Sequence, residues 1–143
     1  VIRLREELEA VAERWMEEVW RRRDVDAIDE IHAPSFRDEG LKDKAPGPET
    51  LRAYKKSVAE LFGAFPGFYC TTEDLVVDGT AGKVAVLWSA EATHEGEFVG
   101  VAPTGRRVRF EGIEVLRIEE GRIVYRWGEW NGMEILQQLG TVS

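Results

Sequence analysis

A carboxylate in the middle of an otherwise apolar strand face must be paired, protonated or functional. Glu114 is in that position, because Val108, Phe110, Leu116 and Ile118 share its parity and Gly112 adds nothing polar. Hairpin geometry supplies a partner. If Glu119-Glu120-Gly121 is a three-residue loop with glycine in the left-handed position of a bulge, Glu114 lies opposite Arg126 and Gly112 opposite Gly128. A two-residue loop at Glu120-Gly121 sets Glu114 against Trp127 instead, where an aromatic wall raises the carboxyl pKa. The first register is preferred. The resulting ion pair is either structural or catalytic, and in both cases it lines whatever cavity the sheet encloses.

Asp38 and Glu39 form a second carboxylate cluster; neighbours on a strand face opposite ways, so at most one enters a pocket, and Asp38 is the candidate. His94 closes a run of apolar parity, where it either donates to a ligand oxygen or forms a rim hydrogen bond to backbone. Trp15, Trp88, Trp127, Trp130 and Phe110 are candidates for the wall of a cavity holding a planar ligand, against the alternative of ordinary core. Asn131 reads as the N-cap of a last helix, in a box with Glu134. Gly79 to Lys83 is too short for a phosphate loop and reads as a hairpin turn. Two histidines and one cysteine, widely separated, have no metal-ligand spacing, and no dinucleotide motif is present. An enzyme built from these residues works without a cofactor or metal, by general acid-base catalysis: one carboxylate takes a proton alpha to a carbonyl while a second group steadies the enolate.

The elements that must position these groups follow from periodicity. Leu4, Leu8, Val11, Ala12, Trp15 and Val19 recur at helical spacing, with Met16 and Trp20 widening the stripe. Asp24 caps a short second helix through Val25, Ile28 and Ile31, which Pro34 ends at Ala33. Pro48 opens a third, with Leu51, Tyr54, Val58, Leu61 and Phe62 on one face and a stop near Gly63. Beyond Pro66-Gly67 the period drops to two. Val84, Val86, Trp88, Ala90 and Ala92 share one strand face, and two further strands run from Val108 and Ile123 before a short last helix that stops at Gly140. Helices followed by hairpin-linked strands predict an α+β fold with an antiparallel sheet. Ile113, Val115, Ile123, Tyr125 and Trp127 make the opposite face apolar too, so a homodimer through the outer sheet face is expected.

The chain of 143 residues is expected to form one domain, 1–143, with a proper core. Nineteen basic and twenty-seven acidic side chains leave a net charge of −8, which disfavours nucleic acid and anionic membranes as partners. A lone cysteine allows no internal disulfide, and neither a membrane span nor a signal peptide is visible, so the cytoplasm is the expected location.

From Phe98 to Gly140 the sequence resembles the carboxyl half of the SnoaL-like polyketide cyclases, members of the nuclear-transport-factor-two-like superfamily. The resemblance rests on Gly100-x-x-Pro103-Thr104-Gly105-Arg106, on Phe110-x-Gly112-Ile113-x-Val115-x-Arg117-Ile118, and on Gly121-Arg122-Ile123-Val124-x-x-Trp127. The amino half agrees more loosely, through Ala33-Pro34-x-Phe36 and Phe65-Pro66. It implies a cone of helices on a strongly curved sheet, a cavity and frequent dimerisation. It also implies an acid directly after the conserved tryptophan as general base and a histidine on the neighbouring strand; here those positions hold Gly128 and Glu114. Related isomerases carry a proton-shuttling aspartate near Asp38, and many members have Thr-His-x-Gly where Thr93-His94-Glu95-Gly96 stands.

The expected function is therefore a cofactor-free cyclase, isomerase or lyase acting on a small, apolar or aromatic carbonyl compound. Glu114 or Asp38 is the base, and Arg126 or His94 steadies the oxyanion. The alternative is a non-catalytic small-molecule-binding or dimeric interaction module. A third, water addition to an epoxide, requires an Asp-Arg-Asp relay that the sequence does not assemble.

Overall fold

The computed structural model describes residues 2–141, with side chains from Leu4 onward. Helix α1 (Ile2–Trp15) runs directly into a π-turn, Met16–Arg21, closed by Arg22 N–H to Glu17 O at 2.9 Å. The wider turn suits a stripe in which Trp15 and Met16, then Val19 and Trp20, all need to face inward. Arg21 and Arg23 fasten this segment by donating to the carbonyls of Cys70 and Phe68, so these arginines are anchors. Asp24 caps the next turn as expected, its Oδ1 accepting from Asp26 N–H at 3.1 Å.

Helix α2 (Ile28–Ile31) stops two residues before the expected end, because the chain is already extended at His32 and enters strand β1 (His32–Asp38). Pro34 is therefore a strand residue and not the helix stop. A short helical turn, Glu39–Leu41, leads to helix α3 (Pro48–Ala64), which begins with proline as read. Strands β2 (Cys70–Asp78), β3 (Lys83–Thr93), β4 (Arg107–Glu119) and β5 (Arg122–Trp130) follow as hairpin-linked neighbours, and helix α4 (Gly132–Gln138) closes the chain.

The sheet has the order β1-β5-β4-β3-β2. It is mixed: β2 to β5 pair antiparallel, but β1 lies parallel to β5, with Asp38 beside Arg126. The all-antiparallel expectation is corrected at that edge, since β1 comes from the helical half and reaches β5 by a long crossover. Helices α1 and α3 pack on one face, against β2 to β4 and against β1 respectively. The alternating residues of that face, including Val84, Val86, Ala90, Val108, Phe110 and Leu116, form the buried core.

The β4–β5 hairpin adopts neither expected register. Glu120 and Gly121 both have positive φ, 50° and 75°, the signature of a two-residue type I′ turn. Regular pairing from that turn would put Glu114 opposite Trp127. Between Arg117 and Ile118 the ladder slips, leaving Val124 as an extra residue on β5, and Glu114 comes to lie opposite Gly128, with Leu116 opposite Arg126. The two-residue turn pairs Ile123 with the inward-facing Ile118, so Ile123 is buried and drops out of the outer-face set. Asn131 precedes α4, but its side chain makes no cap: Oδ1 accepts from Glu111 N–H and Nδ2 donates to Arg109 O, tying the helix start to β4.

Candidate active site

Alternation carries Glu114 of β4 inward, and the bulge at Val124 sets Arg126 of β5 inward diagonally beside it. The parallel pairing of β1 brings Asp38 to the other side of the same guanidinium. Arg126 Nε and Nη2 both lie 2.6 Å from Glu114 Oε1, while Nη1 donates to Asp38 Oδ2 at 2.7 Å. Two carboxylates thus share one cation, and both are buried: Glu114 is 4% exposed and Asp38 3%. Tyr54 of α3 lies over the guanidinium, its ring centroid 5.1 Å from Arg126 Cζ, in cation–π contact.

The two acids are satisfied unequally. Asp38 Oδ1 accepts from Gly40 N–H at 2.8 Å and Oδ2 accepts from Arg126, so each oxygen has a donor. Glu114 Oε1 holds both arginine N–H groups, and Oε2 has only a long contact, 3.4 Å, to Trp88 Nε1. Burial pushes the Glu114 carboxyl above its ordinary range; Arg126 and Trp88 pull the other way without reversing this, and Asp38 adds to the rise. Burial alone would lower the Arg126 pKa, yet Glu114, Tyr54 and Asp38 outweigh it and hold the guanidinium charged. Burial also raises the Tyr54 hydroxyl and the Cys70 thiol.

These groups form the polar floor of a cavity of about 740 Å³ between the helices and the sheet, of the size that small-molecule sites occupy. Trp15 at the end of α1, Met16 and Trp20 of the π-turn, Trp88 of β3 and Phe98 make much of its wall. Trp130, 45% exposed, stands where it opens to solvent, with the Phe98–Val101 turn beside it. Of the aromatic residues named from sequence, Trp15, Trp88 and Trp130 line this space. Phe110 does not: it is buried behind Trp130, ring against ring at 6.2 Å. Trp127 is on the outer face and donates to Glu129, because the register that places Arg126 inside turns residue 127 out.

His94 is also outside the cavity lining. Thr104 N–H donates to its Nδ1 at 3.1 Å, so the ring is an acceptor there and latches the Pro103-Thr104-Gly105 loop to the end of β3. The hydrogen bond to backbone is the one expected, but the ring is fully buried rather than at a rim. Sequence reading passed over Tyr54 as one apolar stripe residue among several, and passed over His32 entirely. His32 is buried between Phe36 and Tyr54, with Nδ1 on Ile28 O at 2.9 Å and Nε2 unpartnered. Its apolar flanks, Ile31 and Ala33, were the available signal.

No group of three or more metal-ligating side chains is clustered among the described residues, and no described helix is long and apolar enough to cross a membrane. What the arrangement can do is acid-base chemistry: two carboxyls in different environments, joined by a fixed cation, in a cavity with a largely aromatic wall.

No curated protein matches this chain. Solved structures do. AclR of Streptomyces galilaeus, a proposed hydroxylase, is 28% identical, with a TM-score of 0.81 over 96% of this chain and 83% of that one. IdmH of Streptomyces antibioticus, a proposed polyketide cyclase, is 27% identical, with a TM-score of 0.75 over 93% of this chain and 98% of that one. TsrD of Streptomyces laurentii, at 20% identity and a TM-score of 0.83 over 96% and 98%, shares the fold. The family model of the SnoaL-like polyketide cyclases matches residues 10–139. With nearly its whole length matched, this chain belongs to the SnoaL-like polyketide cyclase family.

Proposed function

We propose that this protein is a cofactor-independent enzyme of the cyclase, isomerase or lyase type that acts on a small, uncharged, apolar or aromatic carbonyl compound. One observation carries this reading: Glu114 and Asp38 flank Arg126 on the floor of an aromatic cavity. In the reaction one carboxyl takes the proton alpha to the carbonyl and the other supplies a hydrogen bond or proton to the carbonyl oxygen, with Arg126 fixing both. The family's acid is missing at Gly128, and Glu114 fills the space its side chain would use. The chemistry has moved one strand over.

The test is deuterium exchange at the methyl group of 2-acetylnaphthalene in heavy water, followed by proton NMR. The wild type accelerates it, and Glu114→Gln and Asp38→Asn each lower the rate by roughly a hundredfold or more while folding is kept. Exchange at the uncatalysed rate in the wild type would contradict the reading and favour a pure binding module.

A second reading, hydration of an epoxide, draws support from the same triad: Asp38, Arg126 and Glu114 form a carboxylate-guanidinium-carboxylate chain, with glutamate in place of the second aspartate of the relay. Water would add to one ring carbon, giving a proton to the carboxylate of Asp38, as the C–O bond to that carbon breaks and the freed oxygen, still held by the other carbon, takes a proton from Glu114. Conversion of styrene oxide to its diol, lost in Glu114→Gln, would select it.

The reading extends to a homodimer through the outer sheet face. Leu87, Ile113 and Trp127 expose 36%, 40% and 52% of their surface there, a stripe across three neighbouring strands.

A further inference from the structure

Resting on the acid-base reading, we infer that Glu114 stands in the free protein as the neutral acid and Asp38 as the anion, so that Glu114 Oε2 offers a proton to an acceptor oxygen and the cavity selects uncharged ligands. Charge counting comes first. Two ionised carboxylates and one guanidinium would leave a net negative charge on buried groups, which is strongly unfavourable. One proton on one acid removes it, and the hydrogen bonds decide which. Both oxygens of Asp38 accept from a donor, Gly40 N–H and Arg126 Nη1, so a proton on either would weaken an existing hydrogen bond. On Glu114 both strong donors converge on Oε1, as they would on the carbonyl oxygen of a carboxylic acid, and Oε2 remains.

The groups packed around Glu114 agree. From β5 comes Arg126, from β1 Asp38, from α3 Tyr54, from β3 the Trp88 N–H and from β2 the Cys70 thiol; none is a second cation that would hold Glu114 ionised. Burial acts in the same direction.

Ligand chemistry follows. Beside Arg126 the oxygens of Asp38 and Oε1 of Glu114 are already occupied, whereas donors are free. Trp20 Nε1 lines the cavity and has no acceptor among the described residues. Tyr54 Oη accepts from Trp15 Nε1 at 3.2 Å, leaving its own proton to give. Arg126, though cationic, spends Nε, Nη1 and Nη2 on the two acids and has little to offer a ligand carboxylate. Such a site takes an uncharged, ring-sized molecule with more than one acceptor oxygen. It rejects an anion, which would meet Asp38, and beside Arg126 it offers a cation no free carboxylate.

Two measurements test this. Infrared difference spectra near neutral pH should show a protonated-carboxyl carbonyl band in the wild type that disappears in Glu114→Gln and persists in Asp38→Asn. A wild type without the band, or a band lost only in Asp38→Asn, overturns the assignment. The second uses the wild type alone, so it survives a variant that fails to fold: titration of tryptophan fluorescence with 2-acetylnaphthalene, 2-naphthoate and 2-naphthylmethylammonium. The ketone should bind roughly tenfold or more tightly than either ion. Naphthoate or the ammonium binding as tightly as the ketone overturns the proton assignment while leaving the acid-base reading to its exchange test. Binding of none of the three contradicts both, since neither stands without a ligand in this cavity.

Discussion

Glu114 and Gly128 face each other across β4 and β5, and the side chain absent from one makes room for the carboxylate of the other. A Cβ on residue 128 would lie 2.5 Å from Glu114 Oε2, 2.6 Å from Oε1 and 2.7 Å from Arg126 Nη2. No rotamer adjustment is free, because the carboxylate is tied to Arg126 and flanked by Trp88. Gly128→Ala should therefore destabilise the fold by about 1–3 kcal/mol and reduce exchange activity along with it. Urea denaturation of the variant measures the first effect; a Gly128→Ala protein as stable and active as the wild type would mean that the glycine is incidental.

Arg126 sits between two acids that have no other cation, so its removal does more harm than the loss of an average contact. Arg126→Met is expected to cost about 3–5 kcal/mol, the usual penalty for breaking a buried ion pair from one side. Neutralising all three positions together, with Glu114→Gln, Asp38→Asn and Arg126→Met, should recover most of it. Denaturation midpoints of the single and triple variants decide the matter, and equal losses in both would show that packing rather than charge is at stake.

How far these relationships were legible in the sequence depends on their range. Alternation along β4 sufficed to turn Glu114 inward and to name Arg126 as its partner, because both belong to one hairpin. The register was misread because the bulge at Val124 has no residue signature; valine there reads as ordinary strand. Asp38 was placed in a candidate pocket but not beside Arg126. Their contact spans 88 positions and depends on β1 joining β5 in parallel, which no local pattern encodes. His94 and Phe110 had the right parity for an inner face, yet parity does not say whether an inward residue meets a cavity or a neighbour, and both meet neighbours. Trp127 was open to both readings, cavity wall and outer face, and its pairing with Val115 puts it on the outer face.

His32 gives the protein an acid-side liability. Burial pulls its pKa down from 6.5 to about 4, and nearby Arg126 adds to this, against the hydrogen bond to Ile28 O. The unfolded chain takes up a proton first as pH falls. The stability contributed by neutral His32 is therefore complete above pH 6.5 and lost on the way down to about 4, by about 3 kcal/mol in all. His32→Asn, which can keep a donor toward Ile28 O, should show a flatter loss of stability between those limits than the wild type. Parallel curves for the two proteins in denaturation series across that range would rule the histidine out as the cause.

The apolar stripe on the outer sheet face gives a prediction independent of the cavity. If Ile113 and Trp127 meet their counterparts in a second copy, the wild type elutes as a dimer at micromolar concentration and Ile113→Glu as a folded monomer. Size-exclusion chromatography with light scattering reads both. A monomeric wild type would leave that face without a partner of this kind.

The point at which a ligand oxygen meets the protein is visible directly in a crystal structure of the complex with 2-acetylnaphthalene. The ketone ring should lie among Trp15, Trp20 and Trp88, with its oxygen at about 2.6–3.0 Å from Glu114 Oε2, ordinary hydrogen-bond range. A ketone bound elsewhere on the molecule, or inside the cavity with its oxygen turned away from residue 114, would contradict the acid-base reading.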